Sequence, residues 1–382
     1  MRQEGGDKAR SPKRMRVAVN AAFFRPADIG GSGVYLQNLI PRLLKLDSEL
    51  DLILFAPPDA LSMFEDNPRL KKRALPGADR FQRRIYYEQV LIPKAARATG
   101  AHLIFSAGTS GPLMSPVPHI SALMDLQHRH YPEYFSLRTR AFRWVFWEGA
   151  IKRADAVVAI SEFTKNDLIA QLGIDAEKIE VIHLGAETRE PPADVVEAVS
   201  KRVPQPFIFL PGRTYPHKGH LTLIRAFDAI ASRIPHHLVF CGAPDRAHDE
   251  VMQAIAGSPH GARIHHLGRI SSGEVAALFR LADILAFPSE FEGFGLPLIE
   301  AMTVGCPVVA TSAASIPEVV GDAALLVPPG DHEALAEAIL KVLSDSGLRG
   351  KLVERGRTRA RGFSWDRCAE RTLDLFKRIA GA

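Results

Sequence analysis

Hydrophobic positions fall along this chain in two alternating rhythms, short unbroken apolar runs and stretches with an apolar residue every third or fourth place. Met15-Arg-Val-Ala-Val-Asn20 predicts a strand. The loop Asp28-Ile-Gly-Gly-Ser-Gly33 follows, and Val34, Leu36, Leu39, Ile40, Leu43 and Leu44 then mark one face of a helix. Further strands are predicted at 52–55, 102–105, 120–123 and 156–160, each followed by a helical stretch. Strand then helix, repeated, predicts a parallel sheet covered on both faces.

The second half keeps the same rhythm more cleanly. Strands are predicted at 207–210, 238–241, 263–266, 283–287, 307–310 and 324–327, with helices at 221–234 and 274–281 among those between them. Ser271 and Glu274 have the spacing of a capping box for the second of these helices. Glu190-Pro-Pro-Ala-Asp-Val, with Pro204 and Pro206 nearby, interrupts the pattern and reads as the linker. The expected layout is therefore a disordered tail at 1–14, one α/β domain at 15–188, a second at 189–362, and a last helical segment at 363–382. That last segment carries apolar Trp365, Leu373, Leu375 and Phe376, and either caps the second domain or crosses back to the first.

Composition narrows the class without changing this layout. At 382 residues, 46% hydrophobic and 24% charged, the chain has the balance of a folded globular protein of two or three domains. No stretch approaches the roughly 18 uninterrupted apolar residues of a membrane span. The polar first residues lack the apolar core of a secretory signal. Cys241, Cys306 and Cys368 are too few and too scattered for a disulfide framework or a zinc site, and a reducing, cytoplasmic setting is expected. The net charge of +5 is uneven: residues 1–190 carry 27 basic and 22 acidic side chains, and the remainder carries 21 of each. Within 69–100, nine basic residues, Lys71, Lys72, Arg73, Arg83 and Arg84 among them, face only Asp79 and Glu88. That asymmetry fits an anionic partner or an ordinary solvated helical face.

The chemistry concentrates in loops that follow strands. Gly30, Gly31 and Gly33 open a helix, a setting that suits an anion at its N-terminus or a merely tight turn; Leu36 at the third glycine position breaks the dinucleotide fingerprint. Leu210-Pro-Gly-Arg-Thr-Tyr-Pro-His-Lys-Gly219 places Arg213 and Lys218 on a loop suited to a diphosphate. Phe287-Pro-Ser-Glu-Phe-Glu-Gly-Phe-Gly-Leu-Pro-Leu-Ile-Glu-Ala-Met302 sets Glu292 and Glu300 about Gly293, Phe294, Gly295 and Leu296, with Pro297 in a helix-starting position. Glu300 fits either a ligand hydroxyl or the cap of that helix. The sequence contains no Asp-x-Asp, no phosphate-loop lysine motif and no Gly-x-Ser-x-Gly elbow.

With these motifs, joined by Leu267-Gly268-Arg269, Gly305-Cys-Pro-Val-Val-Ala310 and Ile316-Pro-Glu-Val-Val-Gly, the sequence resembles the group 1, family 4 glycosyltransferases, especially bacterial mannosyltransferases of polysaccharide assembly. The resemblance spans 16–380. It implies the α/β GT-B fold, two Rossmann-like parallel-sheet domains facing across a cleft. It implies a retaining enzyme that needs no metal or other cofactor and transfers a sugar from a nucleotide-diphospho-sugar, with mannose from GDP-mannose expected. By the same resemblance, Arg213 and Lys218 hold the diphosphate, Glu292 the sugar and Glu300 the ribose. Gly212 and the amides of 293–296 also contact the donor, Gly268, Arg269 and Ile270 flank the base, and Gly30, Gly31 and Gly33 close the acceptor side. Many relatives carry His-Asp after the fourth strand of the first domain; here Asp125 follows Met124, and His128 or His130 stands in or neither does. The expected acceptor is a glycan or polyprenyl-diphosphate-linked glycan, met at the inner face of an anionic membrane through the basic stretch and Phe81, Tyr86, Tyr87, Trp144, Phe146 and Trp147. A nucleotide-sugar epimerase and a non-catalytic glycan- or nucleotide-binding subunit are the rival readings; no nucleic acid is expected.

Overall fold

The computed structural model describes residues 14–26, 30–108, 110–186 and 190–381; positions 1–13 of the tail expected at 1–14, and Asp28 and Ile29, lie outside them. The chain forms two compact units. The first takes the described residues up to Ile160, then Lys165–Ile182 and the end from Asp366; the second takes Ser161–Thr164 and His183–Trp365.

The first unit is built on seven strands: β1 (Met15–Asn20), β2 (Leu50–Ala56), β3 (Leu70–Ala74), β4 (Leu103–Ala107), β5 (His119–Leu123), β6 (Ala156–Ala159) and β7 (Ile179–Val181). Their order is β3-β2-β1-β4-β5-β6-β7, parallel throughout. Strands β4 and β5 are buried along their whole length, which is why they read as unbroken apolar runs. The sequence reading missed two strands. Leu70-Lys-Lys-Arg-Ala74 is an edge strand that exposes Lys71 and Arg73, and Ile179–Val181 has only three residues. The last helix, Trp365–Ala380, belongs to this unit from Asp366 on. Phe376, fully buried, meets Phe105 with ring centroids 5.0 Å apart, and Lys377 pairs with Asp47 at 2.8 Å.

The second unit contains β8 (Phe207–Pro211), β9 (His237–Cys241), β10 (Ile264–His266), β11 (Ile284–Phe287), β12 (Val308–Thr311) and β13 (Ala324–Val327), in the order β10-β9-β8-β11-β12-β13 and again all parallel. All six were legible in the sequence. The Ser271–Glu274 capping box forms as its spacing predicts, opening the helix Ser272–Leu281. Both sheets reverse their strand order once, at β1/β4 and at β8/β11. The loops leaving the carboxyl ends of those strands diverge and leave a crevice, the usual ligand position of an open α/β sheet. Two parallel Rossmann-like sheets of this kind make the α/β GT-B fold.

Several histidines are buried in neutral form. Burial lowers His119 to about 4, and burial with the Lys218 charge among its neighbours lowers His217 and His220 to about 3. A histidine depressed in the folded state stabilises fully above its unfolded pKa of about 6.5 and loses that contribution as pH falls toward the folded value. The urea midpoint should therefore drop between pH 7 and pH 5. Both ring nitrogens of His220 are buried without a partner, and its ring lies 5.1 Å from that of Phe240. His220→Phe should keep the packing and reduce the drop; an equal drop in the variant would remove His220 from the account.

Candidate functional site

The crevice of the second unit is framed by the loops after β8 and β11. Gly212 leaves β8 at φ 149° while its N–H donates to Cys241 O at 2.7 Å. A Cβ on Gly242 would sit 2.1 Å from Gly212 O, so the loops after β8 and β9 approach as closely as glycine allows. The β8 loop then makes a short turn, Pro216–Lys218, and Gly219 at φ 71° starts the helix His220–Ile230. A Cβ there would lie 2.3 Å from Pro288 O, and Glu290 N donates to His217 O at 2.8 Å, so the β8 and β11 loops are joined backbone to backbone.

That junction brings two of the expected residues together. Lys218 Nζ lies 2.6 Å from Glu292 Oε1, with both side chains mostly buried, and 5.8 Å from the centroid of the Phe287 ring. The second cation has a carboxylate partner of its own. Arg213 is 3.6 Å from Asp245 Oδ2, on the loop after β9, whose N–H donates to Thr214 Oγ1 at 2.8 Å. Tyr215 completes this corner, its phenol pushed up by burial and then by Asp245. Asp245 was absent from the sequence reading; only its place just beyond a strand's carboxyl end marked it.

Glu300 is the fifth residue of the helix Leu296–Val304, beyond the first turn, so it is not that helix's cap. Gly295, at φ 96°, occupies the cap position, and Pro297 stands in the first turn as expected. Burial first, and then the charge of Glu300, pushes the Cys241 thiol at the end of β9 up to about 12. Gly268, at φ 65°, accepts from Gly242 N at 2.8 Å, which ties the loop carrying exposed Arg269 and half-buried Ile270 to the same end of the sheet. Phe294 is buried against the rings of His183 and Phe363, so what that residue offers a ligand is its backbone.

The remaining expected residues lie in the first unit. Gly30 precedes the helix Gly31–Leu46, and a Cβ on Gly30 or Gly31 would meet nothing within 4 Å; Gly33 is buried. Asp125 Oδ1 accepts from Gln127 N at 3.0 Å and so holds a turn. His128 is buried with Nε2 3.0 Å from Glu148 Oε1, and Arg129 grips the same carboxylate. Burial alone would raise Glu148, but these hydrogen bonds outweigh it and leave the carboxyl below its usual range. His130 pairs with Asp167 at 2.9 Å. Both histidines are thus bound to carboxylates.

The basic stretch is partly consumed within the fold. Arg69 donates to the carbonyls of Leu44, Asp47 and Leu50, Lys72 pairs with Asp66 at 2.6 Å, and Arg84 binds the buried Glu88 and Ser110. Of the expected aromatics, Phe81, Tyr86 and Trp144 are exposed, whereas Tyr87, Phe146 and Trp147 are half-buried. Among the described residues no group of three or more His, Cys, Asp or Glu is placed to hold a metal ion, and no helix is long and apolar enough to cross a membrane.

Residues 195–359 match the family described as glycosyl transferases group 1, and residues 29–190 match glycosyltransferase family 4. O-antigen chain mannosyltransferase B of Escherichia coli is 28% identical over 235 residues, 60% of this chain and 62% of that protein. Alpha-maltose-1-phosphate synthase of Mycolicibacterium smegmatis is 28% identical over 395 residues, 96% of this chain and all of that protein. Among solved structures, sucrose-phosphate synthase of Thermosynechococcus elongatus aligns over 96% of this chain and 100% of its own at a TM-score of 0.79 and 22% identity. An Anabaena protein solved with UDP and glucose aligns over the same shares at 0.74 and 19%.

The two kinds of glycine predict opposite outcomes. Gly219→Ala meets both a left-handed backbone and the Pro288 carbonyl and should lower Tm by several degrees, since more than about 1 kcal/mol is at stake. Gly30→Ala meets neither and should leave Tm unchanged. Equal melting of Gly219→Ala and wild type would show that the two loops are not held as described.

Proposed function

The chain belongs to the group 1, family 4 glycosyltransferases, and from that premise we propose that it moves a hexose from a nucleotide-diphospho-sugar to a glycan or lipid-linked acceptor, with retention and without a metal ion. The observation that carries this reading is the Lys218–Glu292 pair at the strand-order reversal, with Arg213 on the same loop as Lys218. As the bond from the sugar's anomeric carbon to the diphosphate breaks, negative charge grows on the departing phosphate oxygen. Arg213, Lys218 and the backbone amides of 293–296 would meet it, and preorganised donors of this sort are usually the largest contribution to catalysis. The sequence has no Asp-x-Asp to anchor a divalent cation, so these groups carry the neutralisation themselves.

The acceptor hydroxyl would attack from the leaving-group face: its oxygen bonds to the anomeric carbon and its proton passes to the departing phosphate. Glu292 would hold a sugar hydroxyl while Lys218 turns toward phosphate, and Glu300 would hold the ribose. Mannose from GDP-mannose is the donor favoured by the wording of 292–324 and by the Escherichia coli relative. A UDP-sugar is the second reading, favoured by the Anabaena neighbour solved with UDP and glucose. Nucleoside diphosphate release should depend on added acceptor and persist in excess EDTA. Lys218→Ala and Arg213→Ala should each lower turnover by about a hundredfold or more. Wild-type turnover in both variants, or activity restored only by magnesium or manganese, would overturn the assignment.

A lipid-linked acceptor would be met at an anionic membrane, inside the cell. The first unit offers a fitting surface: Leu137 and Trp144, 79% and 65% exposed, stand seven positions apart on one helical stretch with Val145, and Phe142 between them in sequence makes a ring contact of 4.8 Å with exposed Phe81. Arg80, Arg83, Arg138, Arg140 and Arg143 lie within a few positions of them in sequence, and no carboxylate falls within 136–147. Apolar tips among arginines suit a headgroup layer. Trp144→Ser with Arg138→Glu and Arg140→Glu should abolish sedimentation with phosphatidylserine vesicles at low salt. Wild type that stays in the supernatant would remove the membrane from the proposal.

A further inference from the structure

Three carbonyl groups of the β11 loop, residues 288–295, are held by hydroxyls that come from two separate stretches of the chain, 161–164 and 311–315. Thr311 Oγ1 donates to Ser289 O. Ser315 Oγ donates to Glu292 O at 2.9 Å, with Ser315 N at 3.4 Å from the same oxygen. Ser161 Oγ donates to Gly293 O at 2.7 Å, and Thr164 Oγ1 reaches the same carbonyl at 3.3 Å. All four hydroxyl residues are fully buried or nearly so.

Ser161 Oγ accepts from Thr164 N at 3.0 Å, as the side chain opening the helix Glu162–Leu172, and its one proton has two acceptors, Gly293 O at 2.7 Å and Thr164 Oγ1 at 3.0 Å, so the two hydroxyls hold that carbonyl as a pair. Residues 161–164 belong to the second unit although they precede its main body by some twenty positions. The carboxylate of Glu318 keeps them there, accepting from Glu162 N at 2.8 Å, Phe163 N at 3.1 Å and His183 Nε2 at 2.8 Å.

Pinning a carbonyl also aims an amide. In a planar trans peptide the C=O and the following N–H point in opposite directions. Holding Glu292 O fixes the direction of Gly293 N–H, and holding Gly293 O fixes that of Phe294 N–H. Neither N–H donates to a backbone carbonyl, and by this planarity each points away from the hydroxyl that holds the carbonyl of its peptide. We infer that Ser161, Thr164 and Ser315 are positioning residues for the donor: they hold the 292–293 carbonyls from behind so that two consecutive amide N–H groups are presented together to the anionic part of a nucleoside diphosphate. The inference rests on the transfer reading above and adds to it the residues that orient the loop.

The test compares Ser161→Ala, Ser315→Ala and a control, Thr372→Val, which removes a buried hydroxyl-to-carbonyl bond in the first unit, Thr372 Oγ1 to Cys368 O at 2.7 Å. Binding of GDP and UDP and of the corresponding free nucleosides is measured by calorimetry, alongside Tm. Both serine variants should bind the diphosphate about tenfold or more weakly, the size of one charge-assisted hydrogen bond. Their affinity for the nucleoside should hold, and Thr372→Val should bind both ligands as wild type does. Unchanged diphosphate affinity in both serine variants overturns the clamp, as does an equal loss for nucleoside and diphosphate, which marks a merely structural role. If wild type binds neither diphosphate, the transfer reading itself falls, and the clamp's ligand with it.

Discussion

The 2.6 Å contact between Lys218 and Glu292 requires two loops from non-consecutive strands to lie against each other at the carboxyl end of one sheet. Strand order supplies the first condition, because β8 and β11 are neighbours whose following connections run to opposite sides. Glycine supplies the second: Gly219 and Gly242 sit where any Cβ would strike the backbone of the adjoining loop. An ammonium and a carboxylate held this close and mostly buried satisfy one another when no ligand is present. On the proposed transfer reading, a diphosphate would offer Lys218 more charge than Glu292 does and would free that carboxylate for a sugar hydroxyl.

The same logic sets the first unit apart. Its crevice, at the β1/β4 reversal, holds a closed polar network rather than open cations. Asn20 donates to Ser110 O at 3.0 Å, Ser110 donates to Glu88, and Arg84 spans both. Glu88 is fully buried, and desolvation raises its carboxyl in spite of Arg84 and Ser110. A network satisfied in this way fixes the shape of that end of the sheet.

What could be read in the sequence follows from burial. The six strands of the second unit were legible because a parallel strand covered on both faces leaves a continuous apolar run. Leu70–Ala74 was read as part of a basic surface because an edge strand shows its charged side chains to water. Arg213, Lys218, Glu292 and Glu300 stood out because charged residues beside glycine and proline are rare between such runs. The hydroxyl clamp was invisible for the opposite reason. Ser161, Thr164 and Ser315 are common residue types, and what matters is a donor–acceptor geometry closing over 132 positions of sequence. Asp245 and His128 show the same limit, since a partner cannot be assigned to a lone charge before the chain is folded.

Glu318 links these levels. Burial would raise its carboxyl, yet His183 and the amides of Glu162 and Phe163 together hold it below the usual range. It therefore remains an anion at neutral pH, placed at the start of a helix where the first-turn N–H groups that donate to it and the helix dipole favour negative charge. A neutral amide there would accept fewer hydrogen bonds and lose the attraction to the dipole. The residues so anchored include Ser161, whose hydroxyl in turn holds Gly293. A carboxylate in the Ile316–Val320 helix thus acts through a serine 157 positions away on the loop that carries Glu292, and each step is a hydrogen bond no longer than 3.1 Å.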